Sequence, residues 1–199
     1  MIEDKFRAPP ANVPYWKDPR IHNFGNDSLL HALVVPFSLE QIRKYEHNDL
    51  DIRDEVFKIL PQSKYPKLVD FCCGVGISTA NWAIGVDTST AMLKAAQCRK
   101  NREPVYNSKK RFVEGNCETY GEENSVDAVT CFLATHEMPQ EARKKILENA
   151  LRIATKKVIF VDICPDYNAP KPMLSGEPYL LEYQKNIDSD FAHCDKRTV

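Results

Sequence analysis

Two acidic residues flank a pair of closely spaced glycines in the middle of the chain. Asp70 ends an apolar run and precedes Gly74 and Gly76, and Asp87 ends the next apolar run, 17 residues after Asp70. A strand that bends sharply through small residues lets backbone amides approach a bound ligand closely. An acidic side chain at the tip of the following strand can accept hydrogen bonds from both hydroxyls of a ribose. The spacing lies near the ~20 residues typical of nucleotide-binding units, so it predicts a nucleoside cofactor without specifying which one.

The glycine pattern fits the dinucleotide-binding fingerprint poorly. Thr79 takes the third glycine position of G-x-G-x-x-G, where close helix packing favours Gly or Ala. The Asp70 carboxylate would also repel a pyrophosphate, whereas a ligand with a cationic amino-acid end would give it a favourable partner, directly or through water. A nicotinamide-dependent oxidoreductase is therefore a disfavoured alternative.

Three separated motifs resemble those of class I S-adenosylmethionine-dependent methyltransferases, in the same order. They are Asp70-x-x-x-Gly74-x-Gly76, Gly85-Val86-Asp87-x-Ser89-x-x-Met92-Leu93 and Glu114-Gly115-Asn116-Cys117-Glu118. The resemblance extends over roughly Lys67 to Ile163. It implies an enzyme that transfers a methyl group from S-adenosylmethionine to a small-molecule acceptor.

The resemblance assigns cofactor contacts to individual residues. Gly74 and Gly76 would line the methionine portion and Asp87 would hold the ribose. Phe132 and Leu133 would lie under the sulfonium, although core packing is an open alternative for Phe132. The residues expected to bind the cofactor are Asp70, Cys72, Gly74, Gly76, Asp87, Thr88, Ser89, Met92, Asn116, Cys117, Phe132 and Tyr45.

The adenine would contact the second and third motifs. Thr88, Ser89 and Met92 would flank the ring, while Asn116 and the backbone of Cys117 would read its edge. For Met92, packing in the hydrophobic core remains an equal alternative.

Catalytic candidates follow the fourth predicted strand, in Thr135-His136-Glu137-Met138-Pro139. This loop would meet the reactive end of the cofactor, and His136 could remove a proton from a hydroxyl nucleophile near neutral pH, with Glu137 beside it. The alternative is that His136 only orders the loop. The Asp/Asn-Pro-Pro-aromatic motif of enzymes that methylate amino groups is absent there, which argues against adenine or cytosine bases as acceptors.

Alternating strand and helix patterns must position these residues. Such alternation over about a hundred residues predicts an α/β fold, a doubly wound, mainly parallel Rossmann-like sheet with helices on both faces. The predicted strands are Lys67–Cys72, Ala83–Val86, Arg111–Val113, Val126–Leu133 and Lys157–Ile163. The predicted helices are Ser38–Leu60, broken near Asn48 or split into two, Thr88–Lys100, Pro139–Ile153 and Pro178–Ile187.

Three departures from the family pattern suggest a rival interpretation. Cys72 stands where the family usually has its first glycine, and the helix between Gly76 and Ala83 has room for less than two turns. The final antiparallel strand pair is not evident. A non-catalytic S-adenosylmethionine-binding protein, or a truncated family member that acts through partners, is therefore the alternative function.

The predicted organisation is one domain preceded by an arm. Residues 1–37, rich in proline, form an irregular arm, and residues 38–199 form the methyltransferase-like domain. Within it, residues 38–60 make an N-terminal helical lid that carries Tyr45, residues 67–163 the cofactor-binding core, and residues 164–199 a C-terminal helix and tail. His22, Asn23 and His31 in this N-terminal region are weaker candidates for covering the site.

Composition narrows the partners and the compartment. The 199 residues carry 27 Lys and Arg against 28 Asp and Glu, so there is no global attraction to nucleic acid or to an anionic membrane. No apolar run approaches the ~18 residues of a membrane span and the N-terminus lacks a signal-peptide pattern, so we expect a soluble cytoplasmic protein. Seven cysteines without C-x-x-C spacing indicate reduced core thiols and no metal site. The oligomeric state stays open.

Overall fold

The structure is a computed structural model that describes residues 13–23, 25–46, 51–103 and 108–194, with the backbone alone at residues 38–46 and 172. Five parallel strands form one sheet in the order β3-β2-β1-β4-β5. Their bounds are Leu68–Phe71 for β1, Ile84–Asp87 for β2, Arg111–Glu114 for β3, Val126–Phe132 for β4 and Ala154–Val161 for β5. The doubly wound parallel sheet predicted from the sequence is confirmed.

Helices cover both faces of the sheet. Their bounds are Leu29–Glu46 for α1, Ile52–Ile59 for α2, Thr90–Arg102 for α3, Gln140–Ile153 for α4, Lys171–Gly176 for α5 and Leu180–Asp190 for α6. Leu68 packs with Val56 of α2, whereas its neighbour Val69 packs with Ile146 of α4. Because successive strand side chains point to opposite faces, α2 and α4 lie on opposite sides of the sheet.

The parallel pairing brings the chemically interesting residues to one edge. Asp70 pairs with Gly85, and Asp87 pairs with Glu114 in register. The carboxyl ends of all five parallel strands therefore lie along one edge of the sheet. The strand order reverses between β1 and β4, since β2 and β3 follow on one side of β1 and β4 and β5 on the other. In open parallel sheets, ligands bind outside this edge at such a reversal.

The N-terminal boundary predicted for the helical region is wrong. The helix α1 begins at Leu29 and not at Ser38, so residues 29–37, expected in the irregular arm, are helical. Ser28 starts the helix because its hydroxyl accepts from the His31 amide at 3.3 Å, as an N-cap residue does. The predicted break near Asn48 lies outside the described residues, and α2 starts after Asp51, whose side chain accepts from Arg53 N.

Other element boundaries also differ from the prediction. Residues 77–83 form turns rather than the expected short helix between β1 and β2. The strand β5 begins at Ala154, directly after α4, and α5 was not predicted. After β5 no further strand appears in the described chain up to residue 194. Among the described residues, no helix combines the length and apolar character needed to cross a membrane.

Candidate active site

The bend after β1 and the carboxylate at the end of β2 meet directly. Asp87 Oδ2 accepts a hydrogen bond from Gly74 N, and Asp87 Oδ1 accepts one from Ser89 N, both at 2.8 Å. The residue is 6% exposed, and this burial raises the pKa of Asp87 to about 7. The carboxylate is therefore held in one orientation beside the bend, and each oxygen retains a lone pair for another donor.

The bend keeps a left-handed backbone at three positions. Cys72, Gly74 and Gly76 have φ values of 52°, 50° and 74°. At Gly76 a Cβ would lie 2.5 Å from the ring of Phe112, so the backbone can approach only as glycine. Cys72 adopts the same conformation despite its side chain, so this departure from the family pattern leaves the shape of the bend intact.

Asp70 lies beneath the bend and orders it. Its two oxygens accept hydrogen bonds from the hydroxyls of Thr79 and Thr130, at 2.7 Å and 2.9 Å. Burial raises the pKa of Asp70 to about 7. Its contact with the amino-acid end of a cofactor stays a prediction. The hydrogen bond explains Thr79, which occupies the third glycine position because it supplies a donor to Asp70.

Ser89 and Met92, expected beside the adenine, also support the fold. Ser89 caps α3 by accepting from Met92 N at 3.2 Å, and its hydroxyl donates to the Asn26 carbonyl at 2.9 Å. Met92 is buried in a small cluster with Ala32 and Val75. Met92 therefore packs in the hydrophobic core, the alternative to an adenine contact given above. Ser89 connects the N-terminal arm to the site through its hydrogen bond with Asn26.

The third motif forms a tight turn at the end of β3. Asn116 Oδ1 accepts from Glu118 N at 2.9 Å, as in an Asx turn. Cys117 Sγ accepts from Cys72 N at 3.3 Å, which links this turn to the bend after β1. Thr88, which precedes Ser89 in the chain, is half-buried. The adenine contacts of these residues stay predictions.

Phe132 and Tyr45 were both predicted to contact the cofactor, and the structure describes the side chain of Phe132 only. Phe132 is buried in the cluster that α2 covers, with its ring 6.1 Å from that of Phe57, so its side chain belongs to the core. The next residue, Leu133, has a φ of 52° and leads the chain to the edge of the sheet. The side chain of Tyr45 lies outside the described residues.

His136 pairs with Asp162, an acidic residue that was not among the predicted site residues. Its Nδ1 lies 2.5 Å from Asp162 Oδ1, and Asp162 follows β5 directly. Burial alone would lower the pKa of His136, but the charge and hydrogen bond of Asp162 outweigh it and raise that pKa to about 9. The imidazole is then protonated near neutral pH, which disfavours its role as a base and favours its role in ordering the loop.

His22, from the N-terminal arm, lies beside Glu137, which is also close to His136. His22 Nε2 lies 3.2 Å from Glu137 Oε2, and His22 Nδ1 lies 2.9 Å from Glu177 Oε1. The ring of His31 stacks on His22 with centroids 3.9 Å apart. Burial would lower the pKa of His22, but Glu137 and Glu177 raise it to about 10. Acidic and imidazole groups therefore line the end of the site next to β4.

Asp162 and Glu177, the carboxylates that pair with His136 and His22, differ in whether the sequence pattern could have predicted them. Asp162 ends an apolar strand as Asp70 and Asp87 do, so the same pattern could have identified it. Glu177 lies in a polar stretch after α5 and carries no comparable signal. Tyr15 of the N-terminal arm packs against the central core cluster, as Cys72 does.

Comparison with known proteins agrees with this geometry. Residues 69–161 match the family model of the methyltransferase domain. This segment of the chain is therefore similar to the methyltransferase-domain family. The matched segment of the domain runs from β1 to the end of β5, so it contains the bend, both carboxylates and the loop that carries His136.

The chain is also similar to solved structures. One is magnesium protoporphyrin IX methyltransferase from Synechocystis PCC 6803 with bound S-adenosylmethionine, with 18% identity, a TM-score of 0.59, and coverage of 83% of this chain and 85% of that one. The same enzyme crystallised with S-adenosylhomocysteine shows 20% identity, a TM-score of 0.50 and coverage of 59% and 56%. The chain thus spans little more than half of the enzyme in that second comparison, and the likeness establishes the fold. None of the curated proteins matches the sequence.

Proposed function

We propose that the methyltransferase domain binds S-adenosylmethionine at the carboxyl ends of β1, β2 and β4 and transfers its methyl group to a small-molecule acceptor. The observation that carries this proposal is the hydrogen bond between Asp87 and the Gly74 amide. It joins a ribose-type carboxylate to a bend whose backbone can approach a ligand. The domain family supplies the class of reaction.

The residues at this edge suit a sulfonium donor. S-adenosylmethionine supplies an electrophilic methyl group on a positively charged sulfur, and the buried carboxylates of Asp70 and Asp87 give the site a matching negative character. Methyl transfer needs an aligned approach and the exclusion of water rather than covalent help from the protein. His136, ordered by Asp162, lies in the loop after β4 where an acceptor would meet the methyl group.

The charges around the acceptor end favour a small molecule over nucleic acid. Glu137, Asp162 and Glu177 cluster there with His22 and His136, so the cluster has no excess of positive charge that would attract a phosphate backbone. The near-zero net charge of the chain agrees with this preference. None of the seven cysteines forms a disulfide in the described part of the chain, which suits the reducing cytoplasm as the place of this activity.

Two measurements on the full chain test the proposal. Calorimetry with S-adenosylhomocysteine should detect one binding site, and S-adenosylmethionine with a labelled methyl group should label a product in a metabolite extract. Binding without any labelled product would favour the non-catalytic alternative. Absence of binding in a folded sample would overturn the proposal, and stronger thermal protection by NADH would point to an oxidoreductase.

A further inference from the structure

We propose that His22, Glu137 and Glu177 bind one divalent metal ion at the acceptor end of the site. One ligand atom from each residue lies within 4.8 Å of the others. Metal bonds of about 2.0–2.2 Å to imidazole nitrogen and carboxylate oxygen place ligand atoms up to ~4.4 Å apart. The three side chains therefore need to contract only slightly around an ion. The cysteine spacing predicts no metal site, but none of these three residues is a cysteine.

One carboxylate oxygen in this cluster has room for a further partner, although the other oxygen of the same residue already faces His22. Glu177 is only 9% exposed at its side chain, and its Oε2 is buried without a hydrogen-bond donor. A buried acceptor without a donor is costly in free energy. His31 Nδ1, whose ring stacks on His22, is likewise buried and unpartnered. A cation bound by Glu177 would satisfy the carboxylate.

The backbone at His22 is held in a conformation that favours this placement. His22 has a φ of 55°, a left-handed value that non-glycine residues rarely adopt and that persists only where surrounding contacts enforce it. Buried Asp18 accepts hydrogen bonds from Arg20 and from the Tyr179 hydroxyl, which anchors the preceding turn to the start of α6. Such preorganisation is typical of ligand residues.

A second layer of contacts orients Glu137. Its Oε1 lies 3.8 Å from His136 Nε2, and the other nitrogen of His136 contacts Asp162. Metal ligands are commonly fixed by chains of this kind, in which the supporting group is itself hydrogen-bonded. We assign His136 to positioning in this arrangement.

The ligand types select the class of metal. One imidazole and two carboxylates, without a thiolate, suit Mn²⁺, Fe²⁺ or Zn²⁺ better than Ca²⁺, which prefers oxygen ligands only. Three protein ligands also leave coordination positions for water or an acceptor atom.

This site suggests the chemical class of the acceptor, an inference that rests on the proposed function. An acceptor hydroxyl bound to the metal would lose its proton to solvent more easily, because the cation stabilises the alkoxide. The oxygen–carbon bond to the methyl group then forms as the sulfur–carbon bond breaks, and S-adenosylhomocysteine leaves. Acceptors with two adjacent oxygen atoms, which can chelate the ion, are the expected class.

Metal titration of the full chain tests the site without any acceptor. After treatment with a chelator, Mn²⁺ is added and the free ion is followed by its electron paramagnetic resonance signal. We expect one Mn²⁺ per chain, and we expect Glu177→Gln and His22→Gln each to weaken binding at least tenfold. The control Glu141→Gln changes an exposed carboxylate in the first turn of α4 and should leave the affinity unchanged.

The outcomes separate this site from the cofactor site. No stoichiometric binding to the folded chain would overturn the metal site and leave an ion-pair network of His22 with two glutamates. Binding that neither ligand variant weakens would place the ion elsewhere and also overturn it. Calorimetry with S-adenosylhomocysteine on the same samples reports the proposed function independently, and thermal melts verify that each variant is folded.

Discussion

Replacing Asp87 by Asn removes the negative charge at the carboxyl end of β2 while keeping the size of the side chain, so it tests the contribution of that charge to cofactor binding. Each oxygen of Asp87 accepts one backbone amide at 2.8 Å, which leaves one lone pair on each oxygen for a ribose hydroxyl. Asparagine keeps one acceptor oxygen and turns an amide donor towards a backbone N–H. Loss of a charged acceptor for a buried hydroxyl costs about 1–3 kcal/mol, so the Kd for S-adenosylhomocysteine should rise about 5- to 150-fold.

Calorimetry on Asp87→Asn measures this loss, with Asp127→Asn as the matched control. Asp127 also accepts a backbone amide, from Lys67 at 2.9 Å, and pairs with Lys156, but it lies near the amino end of β4, away from the site. The control should bind S-adenosylhomocysteine as the unaltered chain does. A folded Asp87→Asn variant whose Kd stays within twofold of the original would refute the ribose role.

Three further outcomes are expected from the described contacts. Because burial raises the pKa of Asp87 to about 7 and ribose hydroxyls need the ionised acceptor, the calorimetric affinity for S-adenosylhomocysteine should fall about tenfold between pH 8 and pH 6; a flat profile would contradict this. Gly76→Ala should lower stability by about 1–3 kcal/mol in urea unfolding, since its Cβ would meet the Phe112 ring at 2.5 Å; unchanged stability would show that the bend relaxes freely. Asp190→Ala should destabilise the fold by about 3–5 kcal/mol by the same measure, because it removes the buried carboxylate that lies 3.0 Å from the fully buried guanidinium of Arg143. A loss below about 1 kcal/mol would show that the Met138 carbonyl and Glu182, the other partners of Arg143, compensate for that carboxylate.

The parallel sheet and the meeting of Asp87 with the glycine bend could be predicted because their signals are local. Apolar runs that end in Asp70 and Asp87 mark strand tips, and the intervening glycines mark the bend. Neighbouring parallel strands then bring these residues together. What the local pattern could not reveal is how the polar atoms pair: Thr79 donates to Asp70, a contact that depends on the turns between β1 and β2.

The cluster of His22, Glu137 and Glu177 could not be predicted because its residues are far apart in the chain. His22 and Glu177 are separated by 155 positions and come from a proline-rich arm and from the segment after α5. Neither segment carries a periodic pattern that indicates its place against the sheet. The start of α1 was missed for a related reason, since Pro36 lies inside that helix and proline usually marks a helix boundary.

The N-terminal arm is attached to both ends of the site at once. The Asn26 carbonyl accepts from Ser89 at the end expected to hold adenine, and His22, a few residues earlier, pairs with Glu137 at the other end. Displacing this short strap from one end must therefore loosen the other. We expect the cofactor end and the acceptor end to become accessible together when this segment is displaced.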